Sequence, residues 1–245
     1  MKIFQKSILL SAAVGMIAAV WSCGTDSYLP SPETARIRFF HGVSDLATAS
    51  VSVDGARLGF LSTAIQDTFR YKRAYPVVTD SVYMSVPIGA RNVKITAANG
   101  TTLLNESNVS VEKGKSYSVF ATDTAGKVGS IILQDVIGAP KTNVAIVRVL
   151  NLIVNQPSVD VSFSSGGFTF PAVANKTGSA FTDIKIDTAA QKVNLRVLKG
   201  GTTTSMLALN AQTLVSGRAY TLVLTGIADS TGAKVVAGTW LPHAR

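Results

Sequence analysis

Few side chains in this sequence are suited to acid–base or metal chemistry, and the two histidines, His41 and His243, come first among them. His41 follows an apolar stretch, stands beside Gly42 and lies close to Asp45, so it could serve as a general base or a metal ligand. A histidine that forms a hydrogen bond at the turn after a strand explains the same pattern, and we favour that interpretation. His243 has no acidic or cysteine neighbours in the sequence.

Charged and apolar residues alternate where Asp183, Lys185 and Asp187 are separated by Ile184 and Ile186. On a strand this spacing places the three charged side chains on one face. Two carboxylates so placed could bind Ca²⁺ or act in glycoside hydrolysis, but a lysine between two acids is more typical of a solvated strand face. Calcium-loop, G-x-S-x-G, phosphate-loop and H-E-x-x-H motifs do not occur in the sequence. We therefore predict no catalytic residue, no metal site and no cofactor.

One short segment combines basic and aromatic residues. Its candidate binding residues are Arg70, Tyr71, Lys72, Arg73 and Tyr75. Such a cluster could bind a polyanion or stack on a sugar or a base. An exposed edge strand or loop is the more common origin of this pattern, because lysine and proline protect sheet edges against unwanted pairing. The segment is still the best candidate for surface binding in the first half of the chain.

Four positions resemble the O-glycosylation signal of Bacteroidota, in which Asp precedes Ser or Thr and a small aliphatic residue or Thr follows. The candidate acceptors are Ser81, Thr124, Thr188 and Ser230. Thr124 and Ser230 also lie in Asp-x-x-Gly segments, where the local hydrogen bonds of a turn favour Asp and Ser or Thr. Both explanations of the pattern stay open.

The first 22 residues have the pattern of a signal peptide. Lys2 and Lys6 precede 13 apolar or small residues, from Ile8 to Val20. That stretch is shorter than the about 20 residues that span a bilayer, and it matches the apolar core of a secretory signal. The following Val20-Trp21-Ser22-Cys23 resembles a loose form of the bacterial lipobox. We therefore predict cleavage after residue 22 and lipidation of Cys23, the only cysteine. An ordinary signal followed by an unpaired thiol is the alternative.

Residues 23–34 are predicted to be the lipid anchor and a flexible tether, since they contain Pro, Ser and Thr without an apolar period. Loss of the two signal-peptide lysines reduces the formal net charge from +9 to +7. We expect an exported protein held by its lipid at the cell envelope, on the outer membrane. Nucleic acid is not an expected partner of such a protein. Its exposure on the periplasmic or the surface side and its oligomeric state stay open.

After residue 35 the chain has the two-residue period of β-strands. Val82, Met84 and Val86 alternate with polar residues, and so do Val93 and Ile95. The segments 54–55 and 99–100 are Asp-Gly and Asn-Gly, which favour the positive φ of tight hairpins. Short strands separated by such turns predict an all-β sandwich or barrel.

The strand pattern occurs twice. Residues 35–38 (ARIR) match 145–148 (AIVR), and 114–119 (GKSYSV) match 217–222 (GRAYTL), with a period of about 105 residues. We therefore predict a first β-sandwich repeat over residues 35–137, a linker over 138–143 and a second repeat over 144–245. Each repeat is large enough to bury about two-thirds of its unfolded surface.

The same landmarks resemble the tandem domain of unknown function 4397 found in exported bacterial proteins. They are the opening strand at residues 35–38, the HGVSD segment at 41–45, VSVDG at 51–55, Pro87-x-Gly89, and the strand at 114–119. The second copy departs from the pattern, with Asn151-Leu152 in place of His41-Gly42. The resemblance implies two tandem immunoglobulin-like antiparallel β-sandwiches, and it brings no established activity.

These observations favour a non-enzymatic binding module for a glycan or an envelope protein. A structural spacer or a subunit of a surface assembly suits the low charge and the Ser- and Thr-rich strands equally well. A hydrolase of envelope polymers is the third possibility, and it would need acidic residues that only the fold brings together.

Overall fold

The computed structural model describes residues 33–58, 69–76, 82–164 and 167–243. Strands dominate this part of the chain, and we call residues 34–134 the N-terminal half and residues 144–242 the C-terminal half. The described strands of the N-terminal half are β1 (Thr34–His41), β2 (Thr48–Val53), β3 (Ala56–Arg57), β4 (Phe69–Arg70), β5 (Ala74–Tyr75), β6 (Met84–Pro87), β7 (Gly89–Ala97), β8 (Leu103–Val111), β9 (Ser116–Thr122) and β10 (Gly129–Gln134).

The C-terminal half repeats this series with nine described strands in place of ten. Its described strands are β11 (Val144–Asn151), β12 (Ser158–Phe163), β13 (Thr169–Ala174), β14 (Thr177–Gly178), β15 (Thr182–Lys185), β16 (Ala190–Lys199), β17 (Ser205–Val215), β18 (Ala219–Thr225) and β19 (Ala237–Pro242). Two short 3-10 helices, Ala125–Lys127 and Gly232–Lys234, occupy corresponding turns. No helix in the described ranges has the length and apolar character needed to cross a membrane.

Each half contains two sheets that pack face to face. In the N-terminal half the orders are β10-β9-β1-β5, with β6 also on β1, and β3-β2-β7-β8, with β4 also on β2. In the C-terminal half they are β14-β11-β18-β19, with β15 also on β11, and β13-β12-β16-β17. The all-β, sandwich-like layout predicted from the sequence is therefore confirmed, whereas the domain boundaries stay a prediction.

One part of the fold prediction is wrong, because the sheets are not purely antiparallel. β1 pairs in parallel with β9, and β11 pairs in parallel with β18. The remaining pairs between named strands are antiparallel in the described residues. The parallel pairs arise because the chain crosses to the other sheet of the sandwich between the two strands, and returns in the original direction.

The apolar faces of the two sheets in each half form its core. In the N-terminal half the core contains Ile37, Phe39 and Val119 from one sheet and Val51 and Ile95 from the other. The C-terminal half has an equivalent core, with Val147, Val149 and Leu222 facing Val161 and Leu195. The alternation seen in the sequence places these side chains inward and their polar neighbours outward.

A third apolar cluster joins the two halves. It consists of Phe40, Phe120, Leu150, Leu152, Val223 and Leu241. These residues alternate along their strands with the residues of the two sandwich cores, so the β1 and β11 sheets are covered on both faces. We call them the inner sheets, and the other two sheets the outer sheets. Double coverage explains why β9 is buried along its whole length.

Residues from Glu33 onward form one compact body. The directions of its strands place the described loops at two opposite ends. β1, β9, β11 and β18 all begin at one end, which we call the proximal end, and finish at the distal end. Contacts between the halves fix this common direction, because the amide of Gly226, just after β18, donates to Ser44 Oγ, just after β1. Residue 33, the segment 135–143 and His243 lie at the proximal end.

Tight turns lie where the sequence predicts them. Asp54 and Gly55 connect β2 to β3, both with positive φ, at 50° and 82°. Gly100, at φ 78°, lies in the loop between β7 and β8. These are the conformations that Asp, Asn and Gly adopt most readily.

Candidate functional site

The basic–aromatic segment forms a turn that passes from the outer sheet to the inner sheet at the distal end. β4 pairs with β2, and β5 pairs with β1, so residues 71–73 connect the edges of the two sheets. We call Arg70, Tyr71, Lys72, Arg73 and Tyr75 the basic turn. Arg70 and Arg73 are exposed, and the other three residues are half-buried.

Side-chain contacts hold the aromatic part of the basic turn. Tyr71 Oη donates to Thr225 Oγ1 of the C-terminal half, at 3.3 Å. The Lys72 ammonium lies 4.9 Å from the centre of the Tyr71 ring, within the range of a cation–π interaction. Lys72 has φ 62°, and its amide donates to the carbonyl of His41.

The C-terminal half contains a counterpart of this turn at residues 174–177. Its backbone makes the same contacts: Lys176 has φ 58°, and its amide donates to the carbonyl of Asn151, which occupies the position of His41. By strand register, Arg70 corresponds to Ala174 and Tyr71 to Asn175, since Thr48 faces Arg70 and Ser158 faces Ala174.

The two turns share one backbone conformation but carry different side chains. Arg73 corresponds to Thr177, so the counterpart turn has a neutral residue at both positions where the basic turn has an exposed arginine. Tyr71 is replaced by Asn175, whose Nδ2 donates to the carbonyl of Ile153. The fold thus forms this turn without Arg70 and Arg73.

The ion pairs around the two turns also differ. Lys176 pairs with Asp123 of the N-terminal half, at 2.7 Å. Asp229 occupies the position of Asp123 in the C-terminal half, but its carboxylate pairs at 3.0 Å with Lys199 of its own half. Lys72, the counterpart of Lys176, instead lies over Tyr71.

A buried polar cluster between the inner sheets was not predicted. Its members from the N-terminal half are Arg38, Tyr83, Ser118 and Asp135, and those from the C-terminal half are Arg148, Thr221 and His243. Arg148 Nη2 donates to Asp135 Oδ1 at 2.6 Å, and Arg38 Nη2 lies 2.9 Å from His243 Nε2. Arg38 and Arg148 also donate to the carbonyls of Pro242 and Gln134, respectively, so each arginine reaches into the other half.

Strand register shows that the cluster is built from equivalent positions. Arg38 faces Ser118 on β9 as Arg148 faces Thr221 on β18. Asp135 directly follows β10, and its amide donates to the carbonyl of Ser116, the first residue of β9. His243 directly follows β19, and its amide donates to the carbonyl of Ala219, the first residue of β18. At this position the N-terminal half has a carboxylate and the C-terminal half has an imidazole, so the two halves of the cluster differ in charge.

Hydrogen bonds and burial determine the protonation of His243. Tyr83 Oη donates to Asp135 Oδ2 at 2.8 Å and lies 2.7 Å from His243 Nδ1. A neutral imidazole with its proton on Nδ1 donates to Tyr83, and its Nε2 accepts from Arg38 and Thr221. Burial, together with the positive charges of Arg38 and Arg148, lowers the pKa of His243 far below its usual value. Burial likewise lowers the pKa of Arg38 and raises that of Tyr83.

A groove of about 310 Å³ lies beside this cluster at the proximal end. Arg36 and Tyr83 line one side, and the segment 137–140 lines another. Asp135 also borders the groove, but its two oxygens already accept from Arg148, Tyr83 and Ser118. Both carboxylate oxygens of Asp135 are thus already engaged within the cluster.

The structure gives His41 the hydrogen bond that we favoured from the sequence. Its Nδ1 accepts from the amide of Val43 at 3.3 Å, and Asn151 Oδ1 accepts from the amide of Ile153 in the same way. The ring lies 5.0 Å from that of Phe69 and is fully buried. Burial lowers the pKa of His41 to about 4, so the ring is neutral at pH 7.

The alternating acids are exposed on one face, as predicted, with Ile184 and Ile186 buried between them. Asp183 forms an ion pair with Lys141. Across the described ranges, the structure contains no group of three or more His, Cys, Asp or Glu residues able to hold a metal ion.

The modification sites predicted from the sequence are dispersed. Thr188 is exposed near the proximal end, whereas Thr124 and Ser230 are half-buried in the distal turns. Cys23 and Ser81 lie outside the described residues.

The fold and this site define an all-β, sandwich-like protein with a basic turn at one end. The chain belongs to the family Domain of unknown function (DUF4397), whose model matches residues 35–162, just over half of the chain. The family membership suggested by the strand landmarks is thereby confirmed.

Among solved structures, the chain is similar to two sugar-binding proteins at low identity. One is a streptococcal virulence factor described as binding α-glucan, with 9% identity, a TM-score of 0.26, and coverage of 84% of this chain and 97% of that one. The other is a CBM26-family module of Amy13K from Eubacterium rectale, solved with maltoheptaose, with 11% identity, a TM-score of 0.24 and the same coverage. TM-scores this low carry no argument about this chain. No curated protein matches it.

Proposed function

We propose that this chain is an exported lipoprotein of the Bacteroidota type, lipidated at Cys23 and held at the outer membrane. Its body consists of two homologous immunoglobulin-like sandwiches that act together as a non-enzymatic binding module for a glycan or an envelope protein. The two halves have the same strand order, except that β13 stands where the N-terminal half has β3 and β4, and this supports the tandem arrangement. The signal-peptide pattern and the cysteine at residue 23 support the anchor.

The position of the basic turn is the observation that carries the binding proposal. The chain enters the body at residue 33, at the proximal end, ten residues after Cys23. The basic turn lies at the opposite end, together with the other distal loops. The basic turn is thus at the end of the body opposite to residue 33, where the tether joins it. Loops carried by rigid strands are common sites of ligand binding.

The buried polar cluster supports a non-enzymatic role. Asp135, Tyr83 and His243 have the side-chain types of acid–base catalysts. Their hydrogen bonds are made to one another and to Arg38 and Arg148, and all of these side chains are buried. Such a saturated arrangement joins the two halves and presents no reactive group to a substrate.

A ligand screen tests the proposal. The chain from residue 24 onward, without its lipid, is passed over neutral and acidic glycans, including maltoheptaose, and over immobilised envelope proteins of the native host. Saturable retention on at least one glycan or protein is the expected result. Failure to bind any member of both sets would overturn the binding proposal and favour a purely structural role.

Protease treatment of intact native cells tests the location. Loss of the chain, with periplasmic control proteins intact, would place the module on the cell surface. Full protection would place it in the periplasm and restrict its ligands to envelope components.

A further inference from the structure

We propose that the groove at the proximal end binds a compact organic carboxylate, whose charged group is held by the guanidinium of Arg36. This groove and the basic turn lie at opposite ends of the body, so the inference goes beyond the proposed binding function and does not depend on it. Three observations carry it: the net charge of the buried polar cluster, the free guanidinium of Arg36, and the size and lining of the groove.

The buried polar cluster beside the groove has one positive charge in excess. Arg38 and Arg148 are buried guanidinium groups, and Asp135 is the single carboxylate that faces them within the described ranges. His243 is neutral, and Tyr83 keeps its proton, because burial raises the pKa of its phenol. A buried charge without a counter-charge is costly. An anion in the adjoining groove would therefore be stabilised by the excess charge of the cluster.

Arg36 adds a further positive charge at the groove itself. It lies on the same face of β1 as Arg38, two residues away. Its guanidinium carbon is 5.8 Å from the centre of the Tyr83 ring, and that of Arg38 is 5.1 Å from the same centre. In the part of the chain that the structure describes, this ring is the one partner of the Arg36 guanidinium. The side chain is exposed, so its forked donors can bind a carboxylate from solution.

The C-terminal half shows that the fold does not need an arginine at this position. Arg36 faces Ser116 in the parallel pair of the N-terminal half, and Ile146 faces Ala219 in that of the C-terminal half. Both pairs line the groove. One side of the groove therefore has a cation and a hydroxyl, and the other side has apolar side chains. A ligand with a charged end and an apolar body matches this lining.

The connection between the two halves forms another wall of the groove. Residues 137–140 belong to no described strand, and the amides of Ile137, Gly138 and Ala139 donate to no other described residue. These amides can donate to oxygens of a ligand, while the side chains of Ile137 and Pro140 add apolar surface. The volume of about 310 Å³ is at the lower limit of ligand sites. A single amino-acid or monosaccharide unit therefore suits the groove better than a polymer.

The charges at the groove favour a carboxylate over a phosphate. Among the described residues that line it, Arg36 is the only basic one, and Asp135 is the only acidic one. The charge of Asp135 is compensated within the cluster, but it still repels an approaching anion. A phosphate dianion would experience twice this repulsion, with the same single guanidinium to bind it.

Four small probes test the proposal by nuclear magnetic resonance of the ¹⁵N-labelled chain from residue 24 onward. N-acetylvaline has a carboxylate, an apolar body and an amide, whereas N-acetylvaline amide differs from it only by the loss of the charge. Acetate is a carboxylate without the apolar body, and inorganic phosphate is the competing anion. The signals to follow are the backbone amides of residues 137–139 and the side-chain Nε of Arg36.

Two variants of equal net charge accompany the probes. Arg36→Gln removes the proposed binding group, and Arg196→Gln removes an exposed arginine of β16, on the outer sheet of the C-terminal half. Both side chains are exposed, so both variants should fold, and the signals of the remaining amides check this. If Arg36→Gln does not fold, the comparison of N-acetylvaline with its amide in the unaltered chain still decides the proposal.

We expect N-acetylvaline to shift the signals of residues 137–139 with a Kd of about 1 mM or below, as a compact ligand allows. Its amide should bind at least about tenfold more weakly, because the charge-assisted hydrogen bonds are lost. Acetate and phosphate should also bind more weakly than N-acetylvaline. Arg36→Gln should weaken N-acetylvaline at least about tenfold, and Arg196→Gln less than about twofold.

Any of five outcomes would overturn the inference. They are no shift at residues 137–139 with N-acetylvaline up to about 50 mM, equal affinity for the acid and its amide, tighter binding of acetate or phosphate than of N-acetylvaline, shifts confined to other parts of the chain, and equal effects of the two variants. None of these results involves the basic turn, so the proposed binding function would stand in each case.

Discussion

Replacing Asp135 with alanine should destabilise the protein more than any other single change in the buried cluster. Among the described residues, Asp135 is the only carboxylate in that cluster, and it is shared by the guanidinium groups of Arg38 and Arg148, with His243 neutral. Its Oδ1 accepts from Arg148 at 2.6 Å, and its Oδ2 accepts from Ser118 and Tyr83 at 2.6 and 2.8 Å. Asp135→Ala therefore leaves two buried positive charges without a counter-charge.

The magnitude follows from the cost of an unpaired buried charge. Breaking a buried ion pair by removing one partner costs about 3–5 kcal/mol. For a body of this size, 1 kcal/mol corresponds to a change in Tm of about 2–4 °C, so we expect a decrease of about 6–20 °C. Arg38→Met removes a larger buried side chain, but it also reduces the excess positive charge of the cluster. We expect it to cost only about 1–3 kcal/mol, mainly through lost hydrogen bonds.

Urea unfolding followed by circular dichroism measures both variants. The exposed pair of Lys141 and Asp183 supplies a matched control, since Asp183→Ala should cost less than about 1 kcal/mol. In the double variant Asp135→Ala, Arg148→Met, the loss should be smaller than the sum of the single losses, because one of the uncompensated charges is gone. If Arg38→Met costs as much as Asp135→Ala, packing volume rather than charge compensation controls the stability of the interface, and the reasoning above is refuted.

Three further predictions follow from the same structure. Because Phe40, Leu150 and their neighbours form a core shared by both halves, the chain should unfold in one calorimetric transition, and two separate transitions would contradict a shared core. His41 has a pKa of about 4 in the folded protein against about 6.5 when unfolded, so the unfolded chain binds more protons between these values. Stability should therefore fall by about 3 kcal/mol as the pH decreases from about 6.5 to about 4 and should not change through this group above 6.5. The His41→Asn variant, which carries the residue found at position 151, should lack that part of the pH dependence in urea unfolding, and an unchanged slope would refute it. Cys23→Ala should move the chain from the membrane fraction of native cells to the soluble fraction, and unchanged partitioning in detergent extraction would exclude lipidation at this residue.

Local patterns predicted much of the fold. The alternation around Val93 and Ile95, and the Asp-Gly turn at residues 54–55, depend on interactions between neighbours in the sequence or in a hairpin. The basic turn was also recognisable in the sequence, as a short segment of basic and aromatic residues. Its difference from the C-terminal half became clear only from strand register, which aligns Arg70 with Ala174 and Arg73 with Thr177.

The contact between the halves could not be predicted from local patterns, since it joins residues up to about 205 positions apart, such as Arg38 and His243. A signal was present nonetheless. Arg38 and Arg148 interrupt strands that are otherwise largely apolar, and they do so at the same position of the two halves. A charged residue in a doubly covered strand requires a partner, because an isolated buried charge is costly. The two arginines therefore pointed to a polar interface on that face of the sheet, without identifying Asp135 or His243 as the partners.

The interface between the halves also determines the shape of the proposed binding surface. Tyr71, at the centre of the basic turn, is held by Thr225 of the C-terminal half, and Ser44 accepts from the amide of Gly226 beside it. Rigid separation of the halves would break both contacts and leave Tyr71 and Lys72 without this support. The basic turn belongs to the N-terminal half by sequence, but its geometry depends on both halves. A ligand that binds only this geometry stabilises the whole body, because its binding free energy adds to the cost of separating the halves.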